Sequence, residues 1–455
     1  MKRYSLGVVF LTALSLVPAT LTGLAPQAPS GAPPLAITHV SVIDTVTGSI
    51  QRDMNVLVRD ARVTSVQPGS APLPPGAEQF DGRGRFAIPG LWDMHVHLSW
   101  ATSSALPAFV ATGVTGVRDL GSDFEEIGAF RTKIDTGLID GPQIFRAGPM
   151  LNGQSFNQWQ LVTTNPQQAR GIVRALKQGG VDFIKVHRRV PRDDYFAIVE
   201  EAKAQGLAVV GHIPMTVTPE EASDAGQLIE HTDTLFEGTL SGGLAQRQLP
   251  NADVIRKFRA NGAQALFARF VKNGTPLTPT LIPWRAIVGA QEGAPPDPRL
   301  RYVARSLRAT VAKAPPLPPQ VRQIIAENYA EYREVVRMMA RAGVTLVAGT
   351  DTSTAPAVPG YFLHDELMAL VDAGVTPLQA LQAATVNAAR IMKKDDRWGT
   401  IAAGKQADLV LLDGNPLDDI RNTQRIAGVV LRGKLLRRPD LDRLLKSAEE
   451  LANRN

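Results

Sequence analysis

From residue 91 to residue 350 short apolar runs alternate with amphipathic stretches, and no other feature of the chain restricts its fold as much. Eight runs read as strands, at 91–97, 113–119, 143–147, 181–187, 208–213, 227–232, 275–281 and 345–350. Segments 124–134, 166–178 and 193–204, lying between them, carry apolar residues at helical spacing. A strand followed by a helix crosses over to reach a parallel neighbour, so this order predicts an α/β fold with a parallel sheet. Eight such units predict a (β/α)8 TIM-like barrel in preference to an open doubly wound sheet, with its main insertion at 284–343.

A barrel of this kind takes about 250 residues. The chain has 455, and the surplus is strand-rich at both ends. Runs at 37–43, 55–59 and 63–67 are separated by Thr47-Gly48 and Asp60-Ala61, and a similar texture returns at 407–412 and 426–436. Each piece is marginal as an independent core. The two ends therefore predict one small composite β-sandwich made of residues 36–86 and 391–440. The barrel at 87–390 is inserted within it, and a helix or tail follows at 441–455. At the start, Lys2 and Arg3 precede the apolar run 6–17, the pattern of a secretory signal. That run is too short to span a bilayer. Residues 1–35 thus read as a signal peptide and flexible leader, which predicts an exported, periplasmic or secreted protein without stable membrane insertion.

Composition closes several classes. Zero cysteines exclude disulfides, thiolate metal sites and a cysteine nucleophile. Lys and Arg number 49 against 43 Asp and Glu, a net charge of +6, but dense basic clusters are confined to Arg188-Arg189 and 432–438. So scattered an excess predicts a solvated basic surface and no nucleic-acid stripe. A small molecule is the expected partner, and a homo-oligomer is compatible with the sequence.

The chemistry gathers at strand ends. His95 and His97 close the first run, and residues i and i+2 of a strand project to the same side, so both imidazoles face one point. His212 and His231 end the fifth and sixth runs, and Asp351 follows the eighth. Taken singly, an Asp after Gly-Thr is a turn or capping residue. Taken together, four His and one Asp make a mixed nitrogen and oxygen donor set suited to zinc or a similar divalent ion. Lys185 lies inside the apolar run 181–186, where a free ammonium is costly to bury. It either snorkels to solvent, pairs with a carboxylate, or reacts as a neutral amine with CO2. The resulting carbamate is anionic, and its two oxygens can bridge two cations.

The segment Ile88-Pro89-Gly90-Leu91-Trp92-Asp93-Met94-His95-Val96-His97 resembles the first-strand signature of the amidohydrolase superfamily. Phe183-Ile184-Lys185-Val186, Val210-Gly211-His212, Ile229-Glu230-His231 and Gly349-Thr350-Asp351 resemble its later metal stations. The similarity is to the imidazolonepropionase-like and Xaa-Pro dipeptidase-like branch, which includes ochratoxin-hydrolysing amidohydrolases, and it covers about 36–436. It implies a barrel with a composite β-sandwich. It also implies that His95, His97 and Asp351 hold one divalent ion and His212 and His231 a second, both expected to be Zn2+. A carboxylated Lys185 and a hydroxide would bridge them. The implied activity is hydrolysis of an amide or peptide bond in a small substrate, a dipeptide or N-acyl amino acid, with Asp351 as the catalytic residue that moves the proton. A lactonase, esterase or phosphotriesterase on the same binuclear centre is the alternative.

One departure narrows the reading. Deaminases and imidazolonepropionases of the superfamily place a Glu three residues after the fifth-strand His, where this chain has Met215, so both chemistries are disfavoured. His187 shares strand parity with Lys185 and, with Tyr361 and His364, is a candidate for substrate contact. Arg188 reads as a surface or capping residue. Trp100, Met150, Trp284 and Tyr361 lie in segments that follow strands and are expected to form an apolar wall.

Overall fold

The computed structural model describes residues 33–238, 252–289, 296–313, 316–352 and 357–454. The expected signal peptide and nearly all of the leader lie outside the described residues.

The two ends of the chain meet in one eight-stranded sheet. Its order runs Lys434–Arg437, Ile426–Leu431, Leu409–Leu412, Phe86–Pro89, Leu35–Ile43, Ile50–Arg59, Arg62–Pro68, with Glu78–Asp81 also paired to Leu35–Ile43. The junction is antiparallel, Leu409 opposite Pro89 and Leu412 opposite Phe86. Side chains alternate between two apolar environments, as a strand period of two requires. Leu409 and Leu411 pack with Ile37, Val56 and Ala87, whereas Val410 and Leu412 join the main core beside Phe109 and Val114. Burying both faces ties this sheet to the rest of the molecule. Contact is close at Gly113 (φ 76°), where an added Cβ would lie 2.9 Å from Val410.

The middle of the chain forms parallel sheets flanked by helices. One sheet has Leu91–Val96, Val114–Asp119 and Gln143–Arg146. The other orders Gln160–Val162, Met150–Asn152, Phe183–Val186, Ala208–Gly211, Leu228–Glu230 and Leu277–Thr278. Seven of the eight expected runs are therefore strands, and the eighth, 345–350, is not. It divides its backbone bonds between two neighbours, Val347 N–H to Leu277 O at 3.0 Å and Met94 N–H to Ala348 O at 2.9 Å, so neither side builds a continuous ladder. Isolated parallel bridges pair Leu277 with Leu346 and Val96 with Thr352. Two short strands were not expected, Met150–Asn152 and Gln160–Val162, because three apolar or amide residues in a row carry little period-two signal.

Two of the flanking helices start where a side chain satisfies a free N–H group. Asp123 accepts from Glu126 N at the head of Phe124–Asp135, and Asn165 accepts from Gln168 N at the head of Pro166–Gln178. The described residues of the insertion include the helices Ile282–Gly289, Pro298–Tyr302, Arg305–Lys313 and Pro319–Ala342. The C-terminal helix Arg438–Arg454 buries Leu441, Ala448 and Ala452, and begins three residues before the expected boundary. Among the described residues no helix is long and apolar enough to cross a membrane.

Candidate metal centre

The first-strand histidines and Asp351 converge, although 254 positions separate His97 from Asp351. His95 Nε2 lies 3.4 Å and His97 Nε2 3.2 Å from Asp351 Oδ1, and one ligand atom from each residue falls within 4.8 Å of the others. Asp93 ties the first strand to the segment that carries Asp351. Its Oδ1 accepts from His95 N at 3.2 Å and Thr350 N at 3.0 Å, and its Oδ2 from Thr350 Oγ1 at 2.7 Å. Asp351 itself adopts φ 55° and His231 φ 68°. Non-glycine residues in this left-handed region are uncommon, and such strain gathers at functional sites.

The remaining candidates close a ring around the same point. The imidazole of His231 is 4.6 Å from that of His95 and 4.5 Å from that of His212, and His187 follows 4.4 Å from His212. Lys185, on the fully buried strand Phe183–Val186, is 1% exposed. The second ring nitrogen of each first-strand His is engaged, His97 Nδ1 with Gly121 O at 2.9 Å and His95 Nδ1 with Glu230 Oε2 at 2.7 Å. His231 Nδ1 meets Thr280 Oγ1 at 2.7 Å.

Burial sets the protonation states. It holds His95, His187 and His212 well below the usual imidazole range and lowers His231 to about 3, so these rings are neutral near pH 7. Burial also lowers Lys185 to about 8, against the pull of Glu230 and Asp351. His95 Nε2, Lys185 Nζ and His212 Nδ1 are buried and make no hydrogen bond. An orphaned buried polar atom costs about 1–3 kcal/mol. Neutral imidazoles and a carboxylate with converging lone pairs are the donors that zinc-like divalent ions take, so these residues fit such a group.

All but the fully buried His95 face a cavity of about 430 Å³. His97, Lys185, His187, His212, His231 and Asp351 line it, and Trp100, Met150 and Trp284 supply apolar wall, as the sequence suggested. Three expectations need correction. Tyr361 does not line the cavity; it stacks on Tyr302 with centroids 5.6 Å apart. His364 is buried away from it, with Nδ1 2.9 Å from Thr423 Oγ1 and Nε2 2.9 Å from Thr112 O. Both sit at the start of the helix Tyr361–Asp372, whose first turn packs in an apolar cluster with Ala108, Tyr302, Val303 and Ala448. Arg188 is no surface cap. Half-buried in the cavity wall, it donates from Nη2 to His212 Nε2 at 3.0 Å.

Sequence reasoning missed several parts of this wall. Phe156 belongs to it, and Trp159 stacks edge-on to Trp100 at 4.7 Å. Two aromatics in the otherwise polar stretch 153–160 were the signal available. Trp284 and Ile287 ride on the helix Ile282–Gly289, whose first N–H groups are held by Glu366, from Leu281 N at 2.9 Å and Ile282 N at 2.7 Å. Asp233 also lines the cavity, raised by burial against the pull of Arg188.

The sequence pattern of the amidohydrolase family matches residues 86–436, about three quarters of the chain. The chain belongs to the amidohydrolase family. This amidohydrolase is 27% identical over 362 residues to the imidazolonepropionase of Mesorhizobium japonicum, a match covering 74% of this chain and 80% of that one. It is 38% identical to the ochratoxinase of Aspergillus niger over 106 residues, 22% of this chain and 21% of that enzyme. Among solved structures, bottromycin amidohydrolase is 25% identical with a TM-score of 0.71, covering 93% of this chain and 94% of that one. The amidohydrolase is accordingly a hydrolase acting on carbon–nitrogen bonds, with an α/β fold of TIM-barrel type. Met215, where the resemblance to imidazolonepropionases departs, donates its N–H to Arg188 O at 3.0 Å and does not line the cavity.

Proposed function

We propose that this amidohydrolase hydrolyses the amide or peptide bond of a small substrate, a dipeptide or N-acyl amino acid, with two divalent ions, Zn2+ by donor chemistry. The observation that carries the reading is the convergence of His95, His97 and Asp351 at the cavity's edge, His95 lying just behind its lining, with neutral His212 and His231 and the buried Lys185 amine beside them. His95, His97 and Asp351 would hold one ion and His212 and His231 the other, with Lys185 as a carbamate between them. Bound there, the ions would supply an acidified water and polarise the scissile carbonyl.

The side chains then divide the work. The Asp351 carboxylate accepts the proton of the attacking water and returns it to the departing amine, acting as general base and then general acid. Asp93 holds the segment that carries that carboxylate in place through Thr350. Trp100, Trp284 and Phe156 exclude water and bury an apolar substituent. Arg188 and His187 are the polar groups placed to receive a substrate carboxylate, and a guanidinium is suited to that role.

Carboxylate recognition has a direct test. Converting the free carboxylate of an active substrate to a carboxamide should cost about 1–3 kcal/mol, roughly a 5- to 150-fold loss of kcat/KM. Equal values would exclude it, and a preference for lactones or phosphotriesters would transfer the reading to the alternative hydrolase class.

The same reading extends to the fold and its location. We take the parallel strands to close into a (β/α)8 barrel over 87–390, supported by the bridges at Leu277–Leu346 and Val96–Thr352. The sheet drawn from 36–86 and 391–440 is taken as a composite β-sandwich domain. Export is proposed from Lys2, Arg3 and the run 6–17. Protein secreted by a bacterial host should begin between about residue 20 and 36 on N-terminal sequencing. A periplasmic product that retains Met1 would sink this proposal.

A further inference from the structure

We propose that Glu230, clamped by Arg118, is a positioning residue that fixes the tautomer and orientation of His95 toward the ion. The inference rests on the metal-centre reading above. Glu230 ends the strand Leu228–Glu230 and is 0% exposed, as is His95. Its two oxygens have separate duties. Oε1 accepts from Arg118 Nη2 and, at 3.1 Å, from Thr278 Oγ1. That leaves Oε2 to accept from His95 Nδ1 at 2.7 Å. With the proton held on Nδ1, the Nε2 lone pair of His95 is directed at Asp351, 3.4 Å away. This is the arrangement by which a carboxylate orients a metal-binding imidazole and raises its basicity.

Arg118 acts on the same residue twice. While Nη2 holds Glu230, its Nε donates to Met94 O at 2.7 Å, fixing the backbone one residue before His95. The guanidinium thus stitches Leu91–Val96 to Leu228–Glu230 from the strand Val114–Asp119. A buried Arg–carboxylate pair is a poor stabilising device, since apolar residues of similar volume do as well or better. Its location directly behind His95, 1% exposed at Arg118, is what a positioning role requires and a packing role does not.

The test uses full-length protein loaded with Zn2+ or Co2+, comparing wild type with Glu230→Gln. A glutamine has one acceptor oxygen and cannot serve both Arg118 and His95. The variant should release one ion to a chelator about 10- to 100-fold faster than wild type, and its Co2+ visible absorption should shift. The other ion should be released as in wild type. Should Glu230→Gln fail to fold, Thr278→Val removes one donor from the same carboxylate without touching charge, and should speed release of the same ion. Unchanged release and spectrum in the folded variant overturn the relay. So does a lower melting temperature shared by metal-free and loaded protein with no spectral change. Wild type that binds no metal overturns the metal reading and the relay together, whereas loaded wild type with an indistinguishable variant overturns the relay alone.

Discussion

Replacing Lys185 with alanine is expected to abolish nearly all activity and most of the bound metal. The wild type should hold about two ions per chain, and the variant one or fewer, by elemental analysis after gel filtration. The physical reason is that the Lys185 amine is 1% exposed, has no hydrogen-bond partner, and sits among neutral imidazoles. As an ammonium it repels cations; as a carbamate it supplies the second anionic group that four neutral imidazoles and the single Asp351 carboxylate do not provide. Removing it takes away an orphaned polar group, so the metal-free fold should melt at the same temperature or higher. A short carboxylic acid added to Lys185→Ala should restore part of the activity by occupying the bridging position. Full activity with unchanged metal content would return Lys185 to a packing role.

Asp351→Asn should lower kcat by about 10²- to 10⁴-fold, the usual contribution of a positioned acid–base group, with a much smaller change in KM. Asparagine is the informative replacement because it tolerates φ 55° as aspartate does and keeps one oxygen toward His95 and His97, while losing the negative charge and with it the ability to take a proton. Steady-state kinetics with metal content measured on the same samples separate the two duties. A variant with wild-type metal and a kcat within a few-fold of wild type would remove Asp351 from proton transfer.

Much of the candidate site could be read from residues because its signals are local. The i, i+2 spacing of His95 and His97 places both rings on one side of a strand whatever surrounds it. Lys185 and His187 share that parity, and both line the cavity. The failures at Tyr361 and His364 have a different origin. Both follow the eighth run closely in sequence, but the face a helix turns toward a cavity depends on what it packs against, here Tyr302 for one and Thr423 for the other. Arg188 failed the other way. Two adjacent arginines look like solvated surface by composition, yet the turn after Phe183–Val186 carries the first of them into the cavity.

By itself, the sequence determined the α/β class, the parallel strands, the shared sheet of the two chain ends and the set of histidines at strand ends. Each follows from apolar period and residue type, which are properties of neighbouring positions. Only the tertiary structure decided that Arg118 and Glu230, 112 positions apart, meet behind His95, that Glu366 holds the helix bearing Trp284, and that 153–160 covers one side of the mouth. No local pattern encodes these contacts. A buried charge is tolerated only where a partner from a distant strand reaches it, and which strands lie adjacent is settled when the whole chain packs.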